Sequence, residues 1–495
     1  MKNEVETEDT KSERDVRLNK VEKLREIGID PYPPFSNKTH TIKEALDLKE
    51  GVVFVAGRIM AKRQFGKLTF CKIQDSTGVI QVVFKADVIG QDKYELFESY
   101  IDVGDIIEAK GDRGTTKTGE ESVIATEWNI LNKTLLALPD KFHGLNDKEL
   151  RFRKRYLDLI TNREVFELFK TRSKILTLVR EYLNGSGFME VETPVLQVLY
   201  GGTNARPFKT NINAYDNMGM YLRVAPELYL KRLLVGGYEK IYEMGKNFRN
   251  EGVDQTHNPE FTMIEWYEAH TDYQNVMDRA EKLYKYIAKN LFGKLELPVG
   301  EKIVSLDYAW PRITMLDSIK KHTGLDVESK NDNELEDFCD KNDIHIKGNK
   351  SRGQMIMDIF EKKVTEHLID PVWIIDYPKE VSPLARVHRK DPRFVERFEC
   401  YIMGKEIGDG WSEITDPIAQ RSRFENEQMA MKGGNEEAHP MDDDFIESLE
   451  YGMPPIGGIG VGIDRLVMLF TNKWSIREVL LFPIMKPSQS TEEDI

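Results

Sequence analysis

The sequence predicts an α+β protein made of a small β-barrel followed by a larger unit of mixed strands and helices. Three observations carry this. The 495 residues are enough for two or three cored domains. Five short segments rich in β-branched and aromatic residues crowd into residues 51–138. Beyond them, helical periodicities alternate with extended segments through to the C-terminal region.

The elements follow in order. Residues 1–16 are polar, lack the apolar core of a signal peptide, and are expected to be a disordered tail. Residues 17–48 form a helical extension, with Val21, Leu24 and Ile27 on one face, Gly28 as a cap and Pro31 as a stop. Within 49–138 the strands are VVFVAGRI, LTFCKIQD, VIQVVF, DIIEAKGDRG and SVIATEWNIL. Five such strands suit a closed barrel of the OB-fold kind, which binds oligonucleotides, and a β-sandwich fits the pattern almost as well. A linker is expected at 139–156, then one unit from 157 to 495. In that unit Ile175, Leu176, Val179, Tyr182 and Leu183 mark a helix ending at Asn184-Gly185. A helical insertion is expected at about 335–370, with Met355, Ile356, Ile359, Phe360 and Val364 on one face. The run GGIGVGID reads as a glycine-rich turn leading into the helix DRLVMLF.

The composition excludes several classes. No apolar run approaches the roughly 20 residues that span a bilayer, so no membrane role is expected. Cys71, Cys339 and Cys400 lie far apart, without metal or redox spacing, as expected of reduced thiols in a cytoplasmic protein. The net charge of -14 gives no general attraction to nucleic acid. A local basic stretch at 141–156 runs the other way, although a solvated helix face would look the same. There is no GxxxxGK[ST], HExxH or GxSxG motif, so any ATP site needs another phosphate device.

FRNEGVDQTHNPEF, residues 248–261, offers one. Two extended segments flank a polar loop, as in a long hairpin. Arg249 can grip a phosphate bidentately, Phe261 offers a ring to a base, and His257 and Asn258 can hydrogen-bond phosphate or sugar. Arg465 opens a helix, where a cation is misplaced unless an anion or a carboxylate compensates it. Glu399 and Glu406 are seven apart and face opposite ways on one continuous strand. They converge on a Mg²⁺ ion only if the chain folds back at Gly404. Glu227 opens an apolar helix, where capping would explain it, and Asp409 and Glu413 flank Gly410 and Trp411.

Together these residues resemble the class II aminoacyl-tRNA synthetases, and among them the lysyl-tRNA synthetases, from about residue 17 to about 487. GFMEVETPVL, at about 187–196, looks like the first class motif, which builds the dimer interface. The second motif lies at about 242–268 and the third at about 457–470. RVAPELYLKRLLVGG, HNPEFTMIEWYEAH, VSPLAR and EYGMPPIGGIGVGIDR are similar to the lysine-specific members. GRIMAKR and IQDSTGVIQV are similar to their anticodon-binding OB domain.

The resemblance implies a catalytic domain on an antiparallel sheet flanked by helices, acting as a homodimer on ATP, L-lysine and tRNA(Lys). It implies that Arg249 binds the α-phosphate and the amino-acid carboxylate. Phe261 and Arg465 would sandwich adenine, and Glu251, His257 and Asn258 would line the ATP site. Glu399 and Glu406 would hold Mg²⁺. Glu265 would take the α-amino group, Glu227, Tyr267 and Glu413 the ε-ammonium, and Gly202 would lie in the amino-acid pocket. Arg58, Phe70, Gln81 and Glu127 are the anticodon candidates, and the basic residues at 148–155 would meet phosphate. Two departures stand out: Asp409 replaces the usual Asn, and GGTNARPF differs around Gly202. An aspartyl- or asparaginyl-type synthetase, a paralogue that transfers lysine to protein, and a non-catalytic RNA-binding paralogue are the alternatives. The acidic set at 227, 409 and 413 favours a cationic amino acid.

Overall fold

The computed structural model describes residues 12–116, 119–139, 147–346, 350–432 and 440–486. The expected tail up to residue 11, and residues 140–146 of the expected linker and basic stretch, lie outside them. The chain divides into two compact units, residues 1–146 and 147–495.

In the first unit, helix α1 spans Glu13–Glu26 and starts earlier than the polar tail predicted. Ser12 caps it by accepting the Asp15 amide, and Glu13 and Asp15 favour its N-terminal turn. Strands β1 (Val52–Phe65), β2 (Leu68–Gln74), β3 (Val79–Lys85), β4 (Ile106–Thr115) and β5 (Glu121–Asn132) close into a barrel in the order β1-β2-β3-β5-β4. Closure decides between barrel and sandwich, because β1 pairs with both β2 and β4. The alternating inward residues, among them Val53, Val55, Ile73, Val82, Phe84 and Ile107, fill the interior. A helix at Gln91–Tyr100, not foreseen from the sequence, packs Phe97 on Phe84 with ring centroids 4.1 Å apart.

The second unit is built on an eight-stranded sheet. In chain order its strands are β6 (Met189–Glu190), β7 (Lys240–Phe248), β8 (Glu260–Ala269), β9 (Arg312–Thr314), β10 (Val372–Pro378), β11 (Phe394–Ile402), β12 (Lys405–Ser412) and β13 (Ile456–Gly462). They lie in the order β9-β10-β11-β12-β13-β8-β7-β6. The six central strands are antiparallel as expected, while the edge pairs β9–β10 and β6–β7 are parallel. Helices α2 (Arg163–Gly185), α4 (Tyr273–Phe292) and α5 (Ile463–Phe470) bury one face of the sheet against Tyr242, Trp266, Trp373 and Phe398. Helix α3 (Glu227–Val235) packs Leu228, Leu230 and Leu234 into a separate core with Ile241 and Tyr267. The inserted segment forms helices Asp332–Lys341 and Arg352–Lys363, and the apolar face read from the sequence is buried there.

Two expectations need correction. Residues 457–462 are not a turn but the core of strand β13, placed between β8 and β12. Its glycines leave room for the Tyr267 ring, the Val276 side chain and Met263, which a Cβ would strike or crowd. The expected linker at 139–156 ends sooner: the second unit begins at residue 147, and 148–153 is helical. Arg155 is buried, paired with Asp158 and donating to the carbonyls of Arg477, Leu480 and Leu481. Arg151 pairs with Asp158 and Arg153 with Glu149. Among the described residues no helix is long and apolar enough to cross a membrane. All three cysteines are buried free thiols.

Candidate active site

The sheet face not covered by α2, α4 and α5 floors a cleft of about 270 Å³. Alternation along β8 explains the floor: Ile264 and Trp266 point into the core, while Phe261, Met263, Glu265 and Tyr267 line the cleft. On β12 a bulge keeps Glu406 and Asp409 on one side. Tyr401 pairs with Glu406 and Cys400 with Gly408, so Ile407 is the extra residue.

Arg249 follows β7, and its amide donates to the Pro259 carbonyl across the hairpin. Its guanidinium lies 5.1 Å from the Phe261 ring centroid, and its Nε is buried without a partner. Burial works against its charge, and Glu251 and Glu265 oppose that effect. A buried guanidinium with an unfilled donor is a ready anion site. Arg249 thus lies over the Phe261 ring. Arg465 donates to Glu406 at 2.8 Å and lies 3.3 Å from His257 Nε2. The carboxylate it needs at a helix N-terminus is therefore the protein's own. His257 Nδ1 is 2.8 Å from Asp254, and Asn258 keeps a buried, unpartnered Oδ1.

Glu399 and Glu406 reach the same face of the sheet because Met403 and Gly404, both at positive φ, reverse the chain between β11 and β12. Only Glu406 lines the cleft. Glu399 is buried, one oxygen accepting from Arg397 at 2.8 Å and the other from Tyr401 at 2.6 Å. Among the described residues no group of three potential ligands is assembled. Mg²⁺ needs only one or two carboxylates beside phosphate oxygens, a chemistry that Glu406 with Glu399 behind it could supply.

The acidic end of the cleft is denser than the sequence indicated. Glu227 does not cap α3, which has no side-chain cap. Its carboxylate instead meets Lys231 one turn on at 2.5 Å, and the same ammonium is 2.5 Å from Glu413. Trp411 Nε1 donates to the Glu413 oxygen that Lys231 holds, at 2.8 Å, leaving Glu413 Oε1 buried with no partner. Tyr267 donates to Glu265 at 2.9 Å. Gly202, at φ +95, packs where a Cβ would come within 2.9 Å of the Glu227 Cβ, so the departure around it leaves its place in the pocket intact. Burial pushes the Glu265 carboxyl up to about 8, with Glu227 adding to it. Burial raises Glu413 to about 8 as well, against the pull of Lys231. Burial also raises Glu227. For Lys231, burial works against the charge, but Glu227 and Glu413 outweigh it and keep the ammonium protonated.

Comparison with known proteins fits this geometry. Residues 147–486 match the family described as tRNA synthetases class II (D, K and N). Residues 53–131 match the OB-fold nucleic acid binding domain. The chain belongs to the class II tRNA synthetases. Among its relatives, the lysine–tRNA ligase of Pelotomaculum thermopropionicum is 48% identical over 481 residues, covering 96% of this chain and 95% of the relative. The lysine–tRNA ligase of Carboxydothermus hydrogenoformans is also 48% identical, over 95% of this chain and 97% of its own length. That of Bacillus cytotoxicus is 48% identical over 96% and 97% respectively.

In this synthetase the cleft brings together Gly202, Glu227, Arg249, Glu251, His257, Asn258, Phe261, Glu265, Tyr267, Glu406, Glu413 and Arg465. Glu399 stands behind it. Three polar residues were missed: Lys231, Arg397 and the indole of Trp411. Their spacings were available as signals. Glu227 and Lys231 are i and i+4 on a helix, while Arg397 and Glu399, like Trp411 and Glu413, are i and i+2 on a strand. On the barrel, Phe70 is half-buried and packs edge-on against the exposed Phe65, with centroids 6.0 Å apart. Gln81 is buried and donates to Ser122, Arg58 donates to the Gly104 carbonyl, and Glu127 pairs with Lys110.

Proposed function

We propose that this synthetase is a lysine–tRNA ligase. It activates L-lysine with ATP to lysyl-adenylate and transfers the lysyl group to the 3′ end of tRNA(Lys), releasing pyrophosphate and AMP. The observation that carries the lysine assignment is the unpartnered buried oxygen of Glu413, beside Glu227, Glu265 and Tyr267. A buried carboxylate oxygen without a donor costs free energy until a cation fills it. A neutral amino acid would leave it unfilled, and an aspartate would add a further negative charge.

In the first step a lysine carboxylate oxygen attacks the α-phosphorus and the bond to pyrophosphate breaks. In the second, a terminal ribose hydroxyl of tRNA attacks the lysyl carbonyl and AMP leaves. Arg249 supplies hydrogen bonds to the α-phosphate and the amino-acid carboxylate, and its buried setting strengthens them. Phe261 offers its free ring face to adenine, with His257, Asn258 and Glu251 around the nucleotide. Arg465 reaches the phosphate tail, beside Glu406. Glu265 takes the α-amino group, while Glu227, Tyr267 and Glu413 take the ε-ammonium. Glu406, with Glu399 behind it, would hold Mg²⁺, which neutralises phosphate charge when bound with ATP. Positioning and charge stabilisation carry the reaction, with no protein nucleophile.

The tRNA anticodon meets the barrel, where Phe70 and Phe65 offer rings for base stacking, with Arg58, Gln81 and Glu127 on neighbouring strands. The enzyme acts as a homodimer in the cytoplasm. Exposed Met189 in the edge strand β6, with exposed Leu196 and Val198 at and just past the end of the first motif, supplies the apolar surface a partner would cover. Buried free thiols suit a reducing compartment. ATP–pyrophosphate exchange, run separately with each standard amino acid, tests the reading. Exchange with lysine is expected; exchange with aspartate instead, or with none, overturns it.

A further inference from the structure

Lys231 is fully buried yet does not line the cleft. Its ammonium meets Glu227 Oε1 and Glu413 Oε2 from the core side, 2.5 Å from each. The other oxygen of Glu413 is buried without a partner. With both carboxylates ionised, the one resident ammonium leaves one negative charge of the pair uncompensated. The other charged and titratable groups around the pair are spoken for. Asp409 on β12 is gripped by Arg397, Glu265 on β8 accepts from Tyr267, and Arg249 lies towards the nucleotide end.

We propose that Lys231 is a positioning residue for amino-acid selection: it holds Glu227 and Glu413 in place and sets the pocket's charge so that one further ammonium, and no more, completes it. This rests on the lysine reading given above and adds to it the origin of the discrimination. Without Lys231, two buried carboxylates would face each other with no cation. They would hold their protons to higher pH, and a protonated carboxyl presents a hydroxyl that a neutral side chain can tolerate. Burial already holds Glu413 high with Lys231 in place, so losing the ammonium can only raise it further.

The test is ATP–pyrophosphate exchange by the full-length chain with lysine and with norleucine, the neutral analogue that lacks the ε-amino group, between about pH 6 and 9. Lys231→Met should lower kcat/KM for lysine about tenfold or more at neutral pH. The rising limb of the pH profile should move up by about one unit, and the preference for lysine over norleucine should shrink. The double variant Lys231→Met/Glu227→Gln carries the wild-type net charge, and its pH limb should return to the wild-type position. If the single variant does not fold, the double variant carries the test: a displaced limb there overturns the proposal. An unchanged limb and preference in Lys231→Met also overturns it. So does a uniform loss at every pH with an unmoved limb, which would mark Lys231 as a structural prop. Wild-type protein that fails to exchange with lysine would instead sink the lysine reading itself.

Discussion

Arg397 grips Asp409 through two parallel hydrogen bonds of 2.9 Å, one from Nε and one from Nη2. The same guanidinium reaches Glu399 at 2.8 Å. Burial pushes the Asp409 carboxyl up and Arg397 pulls it back. The aspartate that replaces the family's usual asparagine is thus neutralised by a neighbour two residues before Glu399. Removing that neighbour strands two carboxylates, Asp409 in the wall of the cleft and Glu399 behind it. Arg397→Met should therefore destabilise the second unit by about 3–5 kcal/mol, read from urea unfolding. Asp409→Asn should cost far less, because Arg397 keeps Glu399. Equal losses in the two variants would argue against this account.

Arg249 is the clearest catalytic prediction. Arg249→Ala should lower kcat/KM for adenylate formation by about 10²-fold or more, as for the loss of one preorganised donor to a developing charge. Circular dichroism should be unchanged, since Arg249 makes no ion pair among the described residues. Near-normal exchange in the variant would remove Arg249 from the mechanism.

The raised carboxyl of Glu413 has a signed consequence for stability. Its folded value is about 8, against roughly 4.3 in an unfolded chain. The folded state therefore holds the extra proton between those values. The stability linked to it is fully present below about pH 4 and is lost as the pH rises through about 8. Glu413→Gln cannot titrate and should lose less stability over that window. Melting temperatures at about pH 5.5 and 8.5 check this, with the variant gaining on the wild type at the higher value. A constant difference would contradict it. The same titration makes lysine bind more tightly as the pH rises towards 8, because the ammonium needs the ionised carboxylate.

On the barrel, Phe70→Ala should weaken tRNA binding by about 1–3 kcal/mol, the usual worth of one stacked base. Aminoacylation at low tRNA concentration should fall accordingly. Amino-acid-dependent exchange, which needs no tRNA, provides the internal control. Unaltered aminoacylation would move the anticodon contact away from Phe70.

The barrel was legible in the sequence because each strand carries its own alternation and its own turn residues. The apolar face of the inserted helices was legible for the same reason: Met355, Ile356, Ile359, Phe360 and Val364 keep a helical period. The glycine run at 457–462 was misread as a turn. Glycine permits a turn locally, and here it is demanded by the Tyr267 ring and Val276, which come from distant segments.

The sequence by itself determined the elements, the identity of the residues that carry charge, and the two arginines and aromatic that meet in the cleft. Those properties are local, or follow from motifs spaced along one segment. Tertiary structure decided which charges neutralise which. Lys231 reaches Glu413 across 182 residues, and Glu406 joins Arg465 across 59. The bulge at Ile407 decides that Glu406 and Asp409 share a face. A pocket's net charge is a sum over segments that meet only after folding, and burial then fixes how strongly each member feels the others.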